Sequence, residues 1–222
     1  MFSGGNDMET EVRFYYALNE KDNIIKYLNK FKELKYIGRF YEKTDQYNHP
    51  MKEYDFYSKE IDGRFRVRRT IGKETAKCMI TWKRRLKDNI GDLIHNEEEV
   101  ELSINNDEYD KLIFLLENVL HLSIVESYER YRSVFKNDDV EIVVDEYPFG
   151  TAIEIENKSK DKDSREVIKY WLDKLNFNIN DAYNLSWDDK YAELCNLQGK
   201  NIENIVTFDK DMPFVETEFN FK

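Results

Sequence analysis

Residues 64–69 read Arg-Phe-Arg-Val-Arg-Arg, and this alternation of charged and apolar side chains is typical of a β-strand. Side chains of a strand point alternately to its two faces, so Arg66 and Arg68 share one face while Phe65 and Val67 share the other. Such a strand needs an apolar core on one side. On the other side it needs surroundings that can hold several positive charges.

The same alternation runs through much of the chain. It predicts further strands at 9–17, 76–85, 97–104, 125–136, 139–147 and 151–157, and two strands within 36–59 around a turn at 48–50. The charged faces are sorted, because some strands carry mainly glutamates and others mainly arginines. An ordinary solvated face would mix in more Ser, Thr and Gln.

Helical spacing of apolar residues predicts helices at 20–35, 107–120, 163–176 and 187–197. These amphipathic helices need apolar sheet surface to cover, which directs the charged strand faces inward. We therefore predict an α+β fold, in which an eight-stranded antiparallel β-barrel encloses a polar, charged lumen and the helices pack outside. The alternative is an antiparallel sheet with one solvated face.

Composition excludes several classes of protein. The 222 residues carry a net charge of −11 with 14% aromatic residues, which argues against a disordered chain and against a duplex-DNA-binding protein. Cys78 and Cys195 have no CxxC spacing, and the three histidines are scattered, so neither a disulfide scaffold nor a zinc site is expected. No glycine-rich phosphate loop and no long apolar run occurs. We expect a cytoplasmic protein without membrane contact.

The sorted charges suggest a chemistry. A group of acidic residues in the lumen must hold protons or a cation, and carboxylate oxygens suit Mg²⁺ or Mn²⁺: Glu9, Glu11, Glu154 and Glu156. A group of basic residues needs an anion, and guanidinium groups match phosphate oxygens in pairs: Arg66, Arg68, Arg130, Arg132 and Lys83. Together the two groups predict a site for a metal-bound polyphosphate.

Seven short blocks, in order, resemble those of the CYTH domain of the triphosphate tunnel metalloenzymes. Residues 9–13 (ETEVR) resemble the ExExK signature, and 45–47, 66–68, 81–83, 99–101, 130–132 and 144–156 resemble the later blocks. The family usually has Lys where this chain has Arg13. A planar guanidinium fork thus replaces a compact ammonium group.

The resemblance implies a triphosphate tunnel with divalent metal. If the roles of the family's residues are assigned to the matching positions of this chain, the metal ligands would be Glu9, Glu11, Asp145, Glu154 and Glu156, assisted by Glu99 and Glu101. The phosphate ligands would be Arg13, Arg66, Arg68, Lys83, Arg130 and Arg132. The residues carrying the chemistry would be Glu9, Glu11, Arg66 and Lys83.

Three regions are expected along the chain: a flexible leader at 1–7, the CYTH-like domain at 8–198 and a C-terminal extension at 199–222. The extension is predicted either to pack on the barrel or on a partner through its phenylalanines, Phe208, Phe214, Phe219 and Phe221, or to form a mostly disordered acidic tail.

The leading functional prediction is a metal-dependent hydrolase acting on a triphosphate, either inorganic tripolyphosphate or an organic or nucleoside triphosphate. One alternative is a class IV adenylyl cyclase, which would convert ATP to cyclic AMP and pyrophosphate in the same tunnel. Another is a non-catalytic nucleotide or polyphosphate sensor. Among nucleic acids, only the 5′-triphosphate end of an RNA fits this prediction. The oligomeric state is left open.

Overall fold

The computed structural model describes residues 7–56, 63–85 and 95–220, and the side chains of 10–56, 63–84 and 98–220. Within these residues, nine strands form one sheet: β1 Asp7–Tyr16, β2 Lys35–Asn48, β3 Gly63–Ile71, β4 Ala76–Arg85, β5 His95–Asn105, β6 Ser123–Lys136, β7 Val140–Tyr147, β8 Gly150–Asn157 and β9 Ile205–Val206. The α-helices are α1 Lys21–Leu28, α2 Tyr109–Phe114, α3 Ser164–Lys174 and α4 Trp187–Gln198.

The long strands lie in the order β2-β3-β4-β5-β1-β8-β7-β6, each antiparallel to the next. Strand β2 also pairs antiparallel with β6, from Lys35 opposite Lys136 to Asn48 opposite Ser123. The short β9 runs parallel to β6 beside Ser127 and Tyr128. The predicted α+β class with an antiparallel sheet is confirmed.

Two predictions along the chain are wrong in detail. The helix predicted over 20–35 is shorter, because α1 ends at Leu28 and the chain enters β2 at Lys35. The pair of strands predicted within 36–59 is one long strand, β2, followed by a single 3₁₀ turn at Lys52–Tyr54. The remainder of that prediction, at 57–59, lies outside the described residues.

The main apolar core lies between the outer faces of β1, β7 and β8 and the helices α1 and α3. Phe14 and Ile153 from the strands are buried there with Ile168 and Trp171 from α3. Helix α3 begins where the Asp163 side chain accepts a hydrogen bond from the Glu166 backbone N–H. This packing explains why the charged faces of the same strands point away from the helices.

The C-terminal extension packs on the sheet, and the prediction of a mostly disordered tail is wrong. The Val215 backbone N–H donates to the Phe149 carbonyl at 2.9 Å, and Phe219 is buried in the main core. The Phe208 ring lies 5.3 Å from the Tyr131 ring, whereas Phe214 is exposed. Phe221 and residues 1–6 of the predicted leader lie outside the described residues.

Both cysteines, Cys78 and Cys195, are buried free thiols. None of the described helices combines the length and the apolar character that crossing a bilayer would require.

Candidate active site

Side chains on one face of the strands line a cavity of about 640 Å³. It brings together most of the site residues predicted from the sequence, which line it from six strands: Glu11, Arg13, Arg66, Arg68, Lys83, Glu99, Glu101, Arg130, Arg132, Glu154 and Glu156. Glu9 lies in β1 opposite Glu97, and its side chain lies outside the described residues. Asp145 does not line the cavity itself but contacts two arginines that do, Arg130 and Arg132.

Strand register explains why acidic and basic groups meet. Strand β1 places Glu11 opposite Glu156 and Arg13 opposite Glu154 on β8. Directly opposed side chains on one face of an antiparallel pair lie about 5 Å apart at their Cβ atoms. Two carboxylates and one arginine–carboxylate pair therefore neighbour each other along this edge of the cavity.

Asp145 is completely buried and holds two guanidinium groups. Its Oδ1 accepts from Arg132 Nε at 2.7 Å, and its Oδ2 accepts from Arg132 Nη2 at 2.6 Å and from Arg130 Nη1 at 2.9 Å. Arg130 Nε also donates to Glu42 Oε2 at 2.8 Å. These bidentate contacts fix both arginines in one orientation.

Arg13 extends the same network. Its Nε donates to Glu154 Oε1 at 2.7 Å and its Nη2 to Glu11 Oε1 at 3.1 Å. Glu154 accepts from Arg132 Nη2 through its other oxygen at 3.0 Å. A planar fork can bridge two carboxylates in fixed directions, whereas an ammonium group is a point charge, so this contact depends on arginine at position 13.

We call this network the paired cluster: Arg13, Arg130 and Arg132 with Glu11, Glu42, Asp145 and Glu154. Burial alone would raise the pKa of Glu154, but the guanidinium groups of Arg13 and Arg132 outweigh it, and the net pKa is lowered. Burial alone would lower the pKa of Arg13, but the negative charge of Glu154 outweighs this effect, and the net pKa is raised. Both groups are thereby held in their charged forms.

Arg66 and Arg68 on β3 form a second group, the open pair, with weaker carboxylate contacts. The nearest carboxylate contacts are Arg66 Nη2 to Glu99 Oε1 at 3.9 Å and Arg68 Nε to Glu42 Oε2 at 3.8 Å, while Arg68 Nε donates to Thr44 Oγ1 at 3.3 Å. The buried Arg66 Nε has no hydrogen-bond partner among the described residues. Burial, aided by the positive charge of Arg68, lowers the pKa of Arg66. An anion placed here would relieve that cost.

Tyr128 lies deep in the cavity beside these arginines and is 1% exposed. Burial raises the pKa of Tyr128, but the guanidinium groups of Arg68, Arg130 and Arg66 lower it to about 7. Its ring packs 4.3 Å from that of Trp187, the first residue of α4, which also lines the cavity. The helix is fixed there by a capping box between Ser186 and Asp189.

Sequence reasoning missed Glu42 and Tyr128. Asp45, the first residue of the block at 45–47, lies on the other face of β2, where its Oδ1 accepts from Ser127 Oγ at 2.6 Å. Counting back from Thr44 by two would have found Glu42. Arg64 Nη2 lies 3.7 Å from Asp188 Oδ1 at the start of α4.

The carboxylates must be compared with what a divalent metal needs. No three of the described acidic, histidine or cysteine side chains converge as a ready metal centre. Mg²⁺ is commonly held by one or two carboxylates together with substrate phosphates, so a complete protein cage is not required. The opposed pair Glu11 and Glu156 lines the cavity and supplies hard oxygen ligands, which fit such a cation.

No family model and no curated protein matches the sequence significantly. The structure is similar to the PH1819 protein from Pyrococcus horikoshii OT3, with a TM-score of 0.61 and 23% identity over 83% of this chain and 98% of that one. A Vibrio parahaemolyticus protein described as a "putative adenylate cyclase" has a TM-score of 0.61 and 13% identity, with the same coverage. A chain of the Schizosaccharomyces pombe Mediator head module reaches a TM-score of 0.51 at 8% identity, covering 94% of this chain and 99% of that one.

At these identities the similarity establishes a shared fold. The resemblance to the CYTH domain, inferred from the order of the sequence blocks, is confirmed at that level.

Proposed function

We propose that this protein is a divalent-metal-dependent hydrolase that binds the triphosphate of its substrate in the cavity, as in a tunnel enclosed by the eight long strands. The observation that carries the proposal is the open pair. Arg66 and Arg68 share one face of β3, have side chains that are 11% and 17% exposed, lack short carboxylate contacts among the described residues, and face the cavity. Guanidinium groups in this state are strong phosphate ligands.

The two groups of arginines would share the phosphate chain. The open pair would bind it on one side through donors that are not already engaged by close carboxylates. Arg132, held by Asp145, would present its charge from the facing strand β6 without reorganising when the ligand arrives. In this proposal Asp145 and Glu154 position arginines, and Glu11 with Glu156 supplies the metal ligands.

The cofactor would be Mg²⁺ or Mn²⁺, which, when bound, would neutralise phosphate charge and orient the attacking water. Glu11 and Glu156 would hold it together with Glu9, the further ligand that the sequence predicts, and Glu99 and Glu101 line the cavity as well. Lys83 also lines the cavity, where its charge acts on Glu154. Lys83 and Arg66 would stabilise the charge that develops on the transferred phosphoryl group.

The proposal is tested by incubating the protein with Mg²⁺ or Mn²⁺ and tripolyphosphate, ATP, thiamine triphosphate or triphosphorylated RNA. Phosphorus NMR would identify the products. Release of orthophosphate that stops with excess chelator is the expected result. Formation of cyclic AMP and pyrophosphate from ATP would instead identify an adenylyl cyclase, the activity named for the Vibrio neighbour. Tight binding without turnover would identify a sensor.

A further inference from the structure

We infer that the triphosphate bound in the cavity carries a flat aromatic group, which packs on an apolar rim at one end of the same cavity. The rim consists of four side chains from three strands: Ile37, Phe40, Met79 and Val134. This inference rests on the proposed function and names its substrate class, an organic triphosphate rather than inorganic tripolyphosphate.

The rim continues directly from the proposed phosphate site. Phe40 on β2 lies opposite Arg132 on β6, and Met79 on β4 lies opposite Arg68 on β3. Val134 follows Arg132 on the same face of β6, about 7 Å further along at the usual strand rise. An organic group attached to a phosphate chain between these arginines would therefore meet apolar side chains first.

Two glycines leave the space in which the Phe40 ring packs. A Cβ atom at Gly72 would lie 2.9 Å from Phe40 Cδ1, and one at Gly38 would lie 3.2 Å from Phe40 Cζ. Gly38 also has a φ of +153°, which side chains other than glycine rarely adopt. The Gly72 N–H is bonded to the Thr75 carbonyl at 2.7 Å, which fixes the turn beside the ring. The ring is thus held against backbone on one side.

The rim is not part of a described core. Ile37 is 40% exposed, and Phe40, Met79 and Val134 are half-buried, while all four line the charged cavity. These side chains leave apolar surface in contact with water next to the phosphate ligands. An aromatic ring that covers this surface removes it from water, which favours binding of a ligand that carries such a ring. Inorganic tripolyphosphate has no group that could do so.

The test measures dissociation constants by calorimetry, with Mg²⁺, for three ligands: ATP, methyl triphosphate and tripolyphosphate. Methyl triphosphate is esterified like ATP but has no ring. We expect wild-type protein to bind ATP about ten-fold more tightly than methyl triphosphate, as in stacking of a base on an aromatic side chain. Phe40→Ala should remove that difference and leave the affinity for tripolyphosphate unchanged.

The matched control is Phe114→Ala, which removes an exposed phenylalanine from α2, away from the cavity, and should change none of the three constants. If thermal unfolding shows that Phe40→Ala does not fold, Met79→Ala tests the same rim from β4. Equal binding of ATP and methyl triphosphate by wild-type protein, or equal weakening of all three ligands by the variant, would overturn the aromatic rim alone. Failure of wild-type protein to bind any of the three would overturn the proposed function as well.

Discussion

Two groups of arginines face one cavity but differ in their partners. In the paired cluster, Arg130 and Arg132 make contacts of 2.6–2.9 Å with the completely buried Asp145. In the open pair, Arg66 and Arg68 are 3.8–3.9 Å from the nearest carboxylates of the described residues. The same side chain therefore has two uses. Pairing fixes a charge in place, and incomplete pairing leaves it available for a ligand.

The comparison separates stability from affinity. Removing one partner of a buried ion pair leaves an uncompensated charge and destabilises the fold strongly. Removing an arginine that lacks a close carboxylate relieves burial of charge, so the loss should fall on ligand binding. Variants in the two groups should therefore fail in different assays.

The largest expected effect is on folding, in the paired cluster. Asp145→Asn removes the charge that holds Arg130 and Arg132, and it should lower the free energy of unfolding by about 3–5 kcal/mol. Urea unfolding followed by circular dichroism would measure this loss. The matched control is Asp139→Asn, which changes an aspartate that is 34% exposed and bonded by Lys162; this variant should unfold at nearly the wild-type urea concentration. An unchanged midpoint for Asp145→Asn would remove the distinction between the two groups.

The second effect is on catalysis, in the open pair. Arg66→Ala should lower kcat/KM for a triphosphate. The loss corresponds to on the order of 2–4 kcal/mol of transition-state stabilisation if the contact strengthens in the transition state. Because burial already opposes the charge of Arg66, unfolding by urea should need at least as much denaturant as before. Added metal should not restore activity, since no metal ligand is lost.

The control for this variant lies on the same strand. Arg69 points to the opposite face, where it donates to Asn106 Oδ1 and stacks over Tyr109. Arg69→Ala should leave kcat/KM close to the wild-type value. Equal losses for Arg66→Ala and Arg69→Ala would show that the inner face of β3 has no special part in the reaction.

The third effect is smaller and depends on metal. Glu156→Gln nearly keeps the shape of the side chain but removes a ligand charge opposite Glu11, so activity at low Mg²⁺ should fall. Raising the Mg²⁺ concentration should recover part of it, in contrast to Arg66→Ala. A titration of rate against Mg²⁺ would separate the two, with Glu166→Gln on the exposed side of α3 as the control. A loss independent of Mg²⁺ would remove Glu156 from the proposed metal site.

Much of this comparison could be predicted from the sequence, because strand alternation is local. The pattern at 64–69 is enough to place Arg66 and Arg68 on one face, and the cavity contains both. The pattern cannot assign partners. Arg13 meets Glu154 across 141 positions of sequence, which depends on the register between β1 and β8.

The errors had physical causes as well. Apolar residues at helical spacing continue past Leu28, but the chain must turn there to enter β2, so packing ended the helix early. The acidic extension has no clear period, yet backbone hydrogen bonds at Val215 and Thr217 hold it to the sheet. Contacts of this kind leave no periodic signal.

The last and smallest effect is on the pH dependence of binding, through Tyr128. Because nearby arginines lower its pKa to about 7, its phenol ionises as the pH rises through that value, and the phenolate then neutralises part of the charge that would bind phosphate. Wild-type affinity for tripolyphosphate should therefore weaken between pH 7 and 8.5 relative to Tyr128→Phe, while the two proteins should bind alike at pH 6. Calorimetry at the three pH values measures the ratio of the two dissociation constants, so the ligand's own protonation cancels.

The control is Tyr170→Phe, which changes an exposed tyrosine of α3 and should follow the wild type at every pH. If the ratio of the two dissociation constants stays the same from pH 6 to 8.5, Tyr128 remains protonated beside the open pair. In that case no phenolate competes with the phosphate for the charge of these arginines.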